Sequence, residues 1–168
     1  MSTLEKTNIV FILADDMGYG APSCYGYNNE PGTYGYQRFK TPNIDQLAAE
    51  GMRLTDFCAS CPVCSPSRAG FLTGRYPQRT GIVDIVPLFA DGLSDSEVTF
   101  AELLKTADYT TGVFGKWHLG GSPEYNPVRH GFDRFRGFLS GKLDYHSHIV
   151  NGKHDWWNGN SDAREEGY

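Results

Sequence analysis

The sequence predicts an α/β domain with a mainly parallel central sheet flanked by helices. Three observations carry that prediction. Asn8 to Ala14 is a continuous apolar, β-branched run, the kind of strand buried on both faces in a parallel sheet. Helix start and stop signals then alternate with further short apolar runs. Chemistry-bearing residues follow those runs, where such sheets place their ligand sites, beyond the carboxyl ends of the strands.

The elements read in order. The strand at residues 8–14 ends at Asp15-Asp16 and the turn-rich Gly18-Tyr19-Gly20-Ala21-Pro22, and residues 18–40 carry Gly, Pro and Tyr without a period, as an irregular loop does. A helix follows over residues 41–51, with Thr41 as its N-cap, Pro42 as its first residue and Gly51 as its stop. Ile44, Leu47 and Ala48 make its buried stripe. Residues 52–57 read as a short strand. Ser65-Pro66 repeats the cap-plus-proline signal for a helix running to Gly74. Thr99 and Glu102 form a capping box, with Val98 and Leu103 at the staple positions, for a helix ending near Ala107. Residues 110–114 are the next strand.

Composition narrows the classes. The chain has 168 residues, 39% of them hydrophobic, and a net charge of -5. That length suits one ordinary domain, and that apolar content excludes disorder, coiled coil and collagen. Mild acidity argues against a duplex-binding module. Gly, at 20 residues, is enriched over the roughly 7% average. With 14% aromatics, this reads as a chain whose loops build a site. The start is polar, and no apolar run has the length of a signal peptide core or a membrane span, so the chain as written reads as cytoplasmic.

Four segments carry candidate chemistry. Asp15 and Asp16 are adjacent carboxylates, a costly pair without a cation; hard ions such as Ca²⁺ or Mg²⁺ suit them, and a turn or helix-cap pair is the other reading. Gly18-x-Gly20 is rejected as a dinucleotide loop, because Ser23 holds the third glycine position and acids occupy the turn. Cys58-x-x-Cys61-x-x-Cys64 begins an iron–sulfur pattern, but Arg68 stands where the fourth cysteine belongs. Cys58 and Cys61 therefore read as buried and inert. Cys64 differs: it opens a predicted helix, where the dipole stabilises a thiolate, and Arg68 follows one turn later. A nucleophile beside an anion-binding arginine suits an oxyanion such as sulfate or phosphate. Lys116 and His118 fall on one face if the chain stays extended, giving a fixed cation and a group titrating near neutrality; a surface turn with a packed Trp117 is the alternative.

Cys64-Ser-Pro-Ser-Arg-Ala-Gly-Phe-Leu-Thr-Gly-Arg75 closely resembles the signature of the sulfatase family, C-x-P-S-R with a leucine-threonine-glycine-arginine end. Gly115-Lys-Trp-His-Leu-Gly120 is similar to the family's second signature. The metal-binding strand and loop resemble residues 8–20, the first helix resembles residues 41–45, and later landmarks resemble His130-Gly-Phe-Asp133 and Asp144-Tyr-His-Ser-His148. The resemblance implies an alkaline-phosphatase-like fold and hydrolysis of a sulfate monoester to alcohol and sulfate. It implies that Cys64 is converted to formylglycine by a maturation enzyme, and that Asp15, Asp16 and the modified Cys64 bind Ca²⁺ or Mg²⁺. Arg68 would hold the hydrated aldehyde, Lys116 the sulfate, and His118 the hydrate or leaving-group side. A hydrated aldehyde has two hydroxyls: one attacks sulfur and expels the alcohol, and the other collapses to the carbonyl and releases sulfate.

The family fold runs to several hundred residues, so residues 1–168 are expected to be the N-terminal part of its catalytic domain. The remainder would complete the metal site and cover an exposed sheet edge or face. His146 and His148 are candidates for substrate contact, and the Tyr, Trp and His of residues 144–157 for a sugar or aryl site or for packing. Expected partners are a small-molecule or carbohydrate sulfate ester and the maturation enzyme, with no nucleic acid and no membrane. A formylglycine-dependent phosphodiesterase or phosphonate hydrolase, and a non-catalytic metal- or sulfate-binding domain, are the open alternatives.

Overall fold

The computed structural model describes residues 6–26, 40–88 and 90–167. Expectations for the polar start, for most of the loop at 18–40 and for the last residue lie wholly or partly outside them. The chain divides into two compact units, Met1–Phe57 and Cys58–Tyr168.

Among its described residues the first unit holds a 3-10 turn at Ser23–Tyr25 and one α-helix, α1 (Pro42–Glu50), with Pro at its first position and Gly51 closing it on the Leu47 carbonyl. Thr41 does not cap it with its side chain. Its hydroxyl instead joins a polar knot: Asp45 accepts from Ser23 Oγ at 2.5 Å, from the Cys24 amide at 2.8 Å and from Thr41 Oγ1 at 3.0 Å. These donors, Ser23 first, hold the Asp45 carboxyl below its ordinary pKa despite some desolvation.

Three expectations fail in this unit. Residues 8–14 form no strand: no ladder satisfies their backbone among the described residues, and Ile9 to Leu13 are exposed, Ile12 at 85%. Residues 52–57 likewise form no strand. The α1 stripe is not buried either, with Leu47 65% exposed. The physical reason is shared. Period and propensity specify a face, but burial needs a second layer, and no described residue of this unit supplies one.

The second unit carries α2 (Cys64–Thr73), α3 (Pro77–Thr80), α4 (Phe100–Thr106), β1 (Gly112–Lys116) and β2 (Arg134–Phe138). Four two-residue strands follow: β3 (Ile149–Val150), β4 (Lys153–His154), β5 (Trp157–Asn158) and β6 (Ser161–Asp162). α2 starts two residues earlier than the Ser65-Pro66 signal predicts, with Val63 as N-cap, and ends on Gly74 in the left-handed conformation. Ser65 is therefore inside the helix rather than its cap; it is fully buried, and its hydroxyl accepts the Val86 amide at 3.0 Å.

The capping box of α4 is present in both directions. The Glu102 amide donates to Thr99 Oγ1 at 3.3 Å, and the Thr99 amide donates to Glu102 Oε2 at 2.7 Å. Val98 and Leu103, at the staple positions, stay more than half exposed. The hydrogen-bonded box, rather than apolar burial, marks this start.

The main sheet has the order β1-β2-β5-β6. β1 and β2 are parallel, in register from Gly112 opposite Arg134 to Lys116 opposite Phe138. The β2–β5 and β5–β6 pairs are antiparallel, so the sheet among the described residues is mixed. The turns explain it. Gly159, at φ 58°, opens a two-residue hairpin between β5 and β6, and Asn151-Gly152, both at positive φ, joins β3 to β4. Opposite Gly115, a Cβ on Gly137 would lie 2.0 Å from the Gly115 carbonyl oxygen, so this pair needs glycine.

One core unites the layers: Ala69 and Leu72 of α2, Ala101 of α4, Phe135 of β2, and Leu93, Trp117, Leu119 and Leu139 from the connections. β1 is at the sheet edge among the described residues, and its Phe114 is 72% exposed. Among the described residues, no helix is long and apolar enough to cross a membrane.

Candidate active site

The second unit brings two of the sequence motifs together. Cys64 is the first residue of α2, half-buried, at the end where the helix dipole favours negative charge. Arg68 lies one turn on. Its Nη1 donates to the Lys116 carbonyl at 2.6 Å, which ties α2 to the carboxyl end of β1. A bond from a charged donor of this length is among the stronger kinds, and it fixes where the guanidinium stands.

Beyond Lys116 the chain keeps pairing with the segment after β2. The Trp117 amide donates to Phe138 O at 2.9 Å and the His118 amide to Leu139 O at 3.1 Å. Simple alternation nevertheless stops here. Lys116 is half-buried, whereas Trp117 and His118 are both buried. His118 sits at φ 61°, an uncommon conformation for a residue with a side chain, and one that turns the chain out of the sheet.

Two contacts hold this corner from below. Trp117 donates its indole N–H to Tyr125 O at 2.8 Å and stacks on the His130 ring with centroids 5.7 Å apart. His130 is buried, and its Nε2 has no hydrogen-bond partner among the described residues. Desolvation pushes its pKa below the ordinary histidine value, outweighing the Asp95 and Glu102 charges that pull it up.

Asp15 and Asp16 belong to the first unit and are exposed, with Asp16 at φ 55°. Two hard carboxylate donors in adjacent positions suit a hard divalent cation. Cys58 is exposed and Cys61 half-buried, which corrects the expectation of two buried thiols: both precede the first turn of α2 and lie outside the packed part of that helix. His146 is exposed. His148 is buried, stacked on Trp156 at 4.4 Å, with Nδ1 3.2 Å from Glu165 O.

Sequence reasoning missed Glu97, Gly141 and Asp155. Arg75 Nη1 contacts both carboxylate oxygens of the buried Glu97 at 2.6 Å, bracing the end of α2. Gly141 lies against the His118 ring, and the buried Asp155 holds the neighbouring backbone. Only long-range packing reveals them; no local spacing could.

The family model described as Sulfatase matches residues 7–164. Rat (Rattus norvegicus) steryl-sulfatase is 47% identical over 143 residues, covering 77% of this chain and 23% of that protein. Human (Homo sapiens) arylsulfatase A is 48% identical over 141 residues, covering 82% and 26%. The crystal structure of the PsFucS1 sulfatase from Pseudoalteromonas sp. superposes with a TM-score of 0.64 at 36% identity, over 81% of this chain and 26% of that one. The chain thus spans about a quarter of the length of the curated relatives it matches. With its α/β fold, a cysteine opening α2 and an Arg68–Lys116 tie at the sheet's carboxyl end, this chain belongs to the sulfatase family.

Proposed function

We propose that this chain is the N-terminal part of the catalytic domain of a sulfuric ester hydrolase that cleaves a sulfate monoester to alcohol and sulfate. The observation that carries this reading is the 2.6 Å bond from Arg68 to the Lys116 carbonyl. It ties the backbone at Lys116, two residues before His118, to the helix that opens with Cys64, the residue that the family converts to formylglycine.

Asp15 and Asp16 are the carboxylate ligands of a divalent cation, Ca²⁺ or Mg²⁺, and the modified Cys64 is a further ligand, as the family motif implies. Their hard oxygens fit such an ion, and the ligands beyond these two carboxylates come from elsewhere in the protein. When present, the aldehyde supplies the nucleophile and the cation supplies Lewis-acid stabilisation. Arg68 stabilises negative charge beside the nucleophile, and its fixed donor geometry costs no reorganisation. Lys116 contributes its ammonium to the sulfuryl oxygens. His118 moves a proton at the leaving-group side, work worth about 10² to 10⁴-fold. His146 and His148 contact the substrate. His146 is the exposed one of the two, and buried His148 shapes that contact through its stack on Trp156. The substrate is a small-molecule or carbohydrate sulfate ester, the class to which the names of the relatives point. A maturation enzyme that converts Cys64 is the required partner.

The test is mass spectrometry of the Cys64 peptide from a host with the maturation machinery, with parallel assays on an aryl sulfate and an aryl phosphodiester using the protein that carries this chain. Replacement of CH₂SH by CHO and turnover of the sulfate support the reading. An unmodified thiol, or turnover of the phosphodiester alone, overturns it.

A further inference from the structure

Asp155 is a buried acid with no basic side chain paired to it among the described residues. Its oxygens are instead filled by three N–H donors. Oδ1 accepts the Leu139 amide at 3.1 Å and the Trp157 indole at 2.7 Å, and Oδ2 accepts the Ser140 amide at 2.8 Å. A buried carboxylate spent on two consecutive amides fixes the direction of the chain at that point.

That chain is the one on which His118 rests. Leu139 accepts the His118 amide through its carbonyl, while its own amide is held by Asp155. Two residues later, Gly141 lies against the imidazole. A Cβ there would sit 2.4 Å from His118 Cε1 and 2.6 Å from Nε2. Gly141 does not adopt a left-handed φ, so its lack of a side chain answers the ring and not the backbone. Gly121 and Gly92, by contrast, meet backbone atoms, at 1.5 Å and 2.0 Å.

We propose that Asp155 and Gly141 are positioning residues for His118: the carboxylate fixes the Leu139-Ser140 corner, and the corner seats Gly141 against one face of the imidazole. The carboxylate touches neither His118 nor a substrate; it acts through two amides and a bare Cα. The fixed ring then presents its nitrogens in one direction, which proton transfer at a leaving oxygen requires. This takes the role of His118 from the function proposed above, but the positioning itself is a property of the ring.

The test reads the ring directly. The protein is labelled with ¹⁵N-histidine, and imidazole ¹H–¹⁵N correlations are recorded for the parent, Gly141→Ala and Asp155→Asn. His118 signals are assigned by their loss in His118→Gln, and His130 serves as the internal reference. The expected result is that both variants move the His118 ring signals while those of His130 stay in place and near-UV circular dichroism keeps its native form. In the active protein, kcat falls by about 10²-fold with KM held, the cost of a small misplacement at a reacting group. Unmoved His118 signals in a folded Gly141→Ala protein overturn the proposal. So does loss of the fold in both variants, which assigns these residues to stability alone. Should Asp155→Asn alone unfold, Gly141→Ala decides. A moved ring in a protein without sulfatase turnover keeps the positioning and removes the reaction, so the two readings fail separately.

Discussion

In the first unit, apolar side chains face solvent along residues 9–13 and on α1, and none of the core residues comes from it. What holds α1 in register is polar: Ser23, Cys24 and Thr41 converging on Asp45. In the second unit, α2, α4 and β2 each give apolar residues to one core, and the polar groups mark ends and corners. Equally good helix signals thus have two outcomes. Local chemistry decides whether a helix forms; a second layer decides whether its apolar face contributes stability.

Substitutions can break or sharpen that contrast. The largest expected effect is Phe135→Ala, since this ring of β2 is only 1% exposed. A loss of about 3–5 kcal/mol by urea denaturation is expected. A cost near zero would show that the second unit is not packed as described. Thr99→Ala removes one half of the α4 box and its bond to His130 O at 2.8 Å, and is expected to cost about 0.5–2 kcal/mol.

His130 adds a pH test. Its folded pKa is lowered, while the unfolded chain takes up a proton near the ordinary 6.5. Protonation therefore favours unfolding: stability is full above that value and falls as the pH drops below it. His130→Phe should flatten the fall in Tm between about pH 7 and 5; an unchanged slope would move its origin elsewhere.

Asp133 works on a lower limb. Lys105, at 2.8 Å, and then the Thr111 amide hold its carboxyl at about 2 against 3.8. Its contribution is present above 3.8 and is lost as the pH falls toward about 2, a loss that Asp133→Asn should remove from acid titrations followed by circular dichroism. Smallest is Leu47→Ala on the exposed stripe of α1, expected within about 0.5 kcal/mol of the parent. A cost of several kcal/mol there would mean that the stripe is covered in solution.

Much of the second unit was legible in the sequence, because its signals are short-range. Gly74 stops α2, Thr99 and Glu102 box α4, and the strand predicted at residues 110–114 appears two residues later, as Gly112–Lys116. The antiparallel hairpins also carried a signal, Asn151-Gly152 and Asn158-Gly159-Asn160, which the α/β reading passed over in favour of parallel pairing. The run at residues 8–14 misled for the opposite reason: a strand exists only with a neighbour, and composition cannot name one. For the candidate site, motif spacing proposed Cys64, Arg68, Lys116 and His118, and the structure joins Arg68 to the Lys116 carbonyl. Asp155 and Gly141 lie 37 and 23 positions from His118 in the sequence, and only tertiary hydrogen bonds and packing join them to it.

The parallel ladder between β1 and β2 does not end with the strands; it runs on through the amides of Trp117 and His118. Those N–H groups can trade their protons with water only when the sheet itself opens, so they belong with the slowest-exchanging amides of the unit. The backbone under Lys116 and His118 is therefore a floor and not a flap.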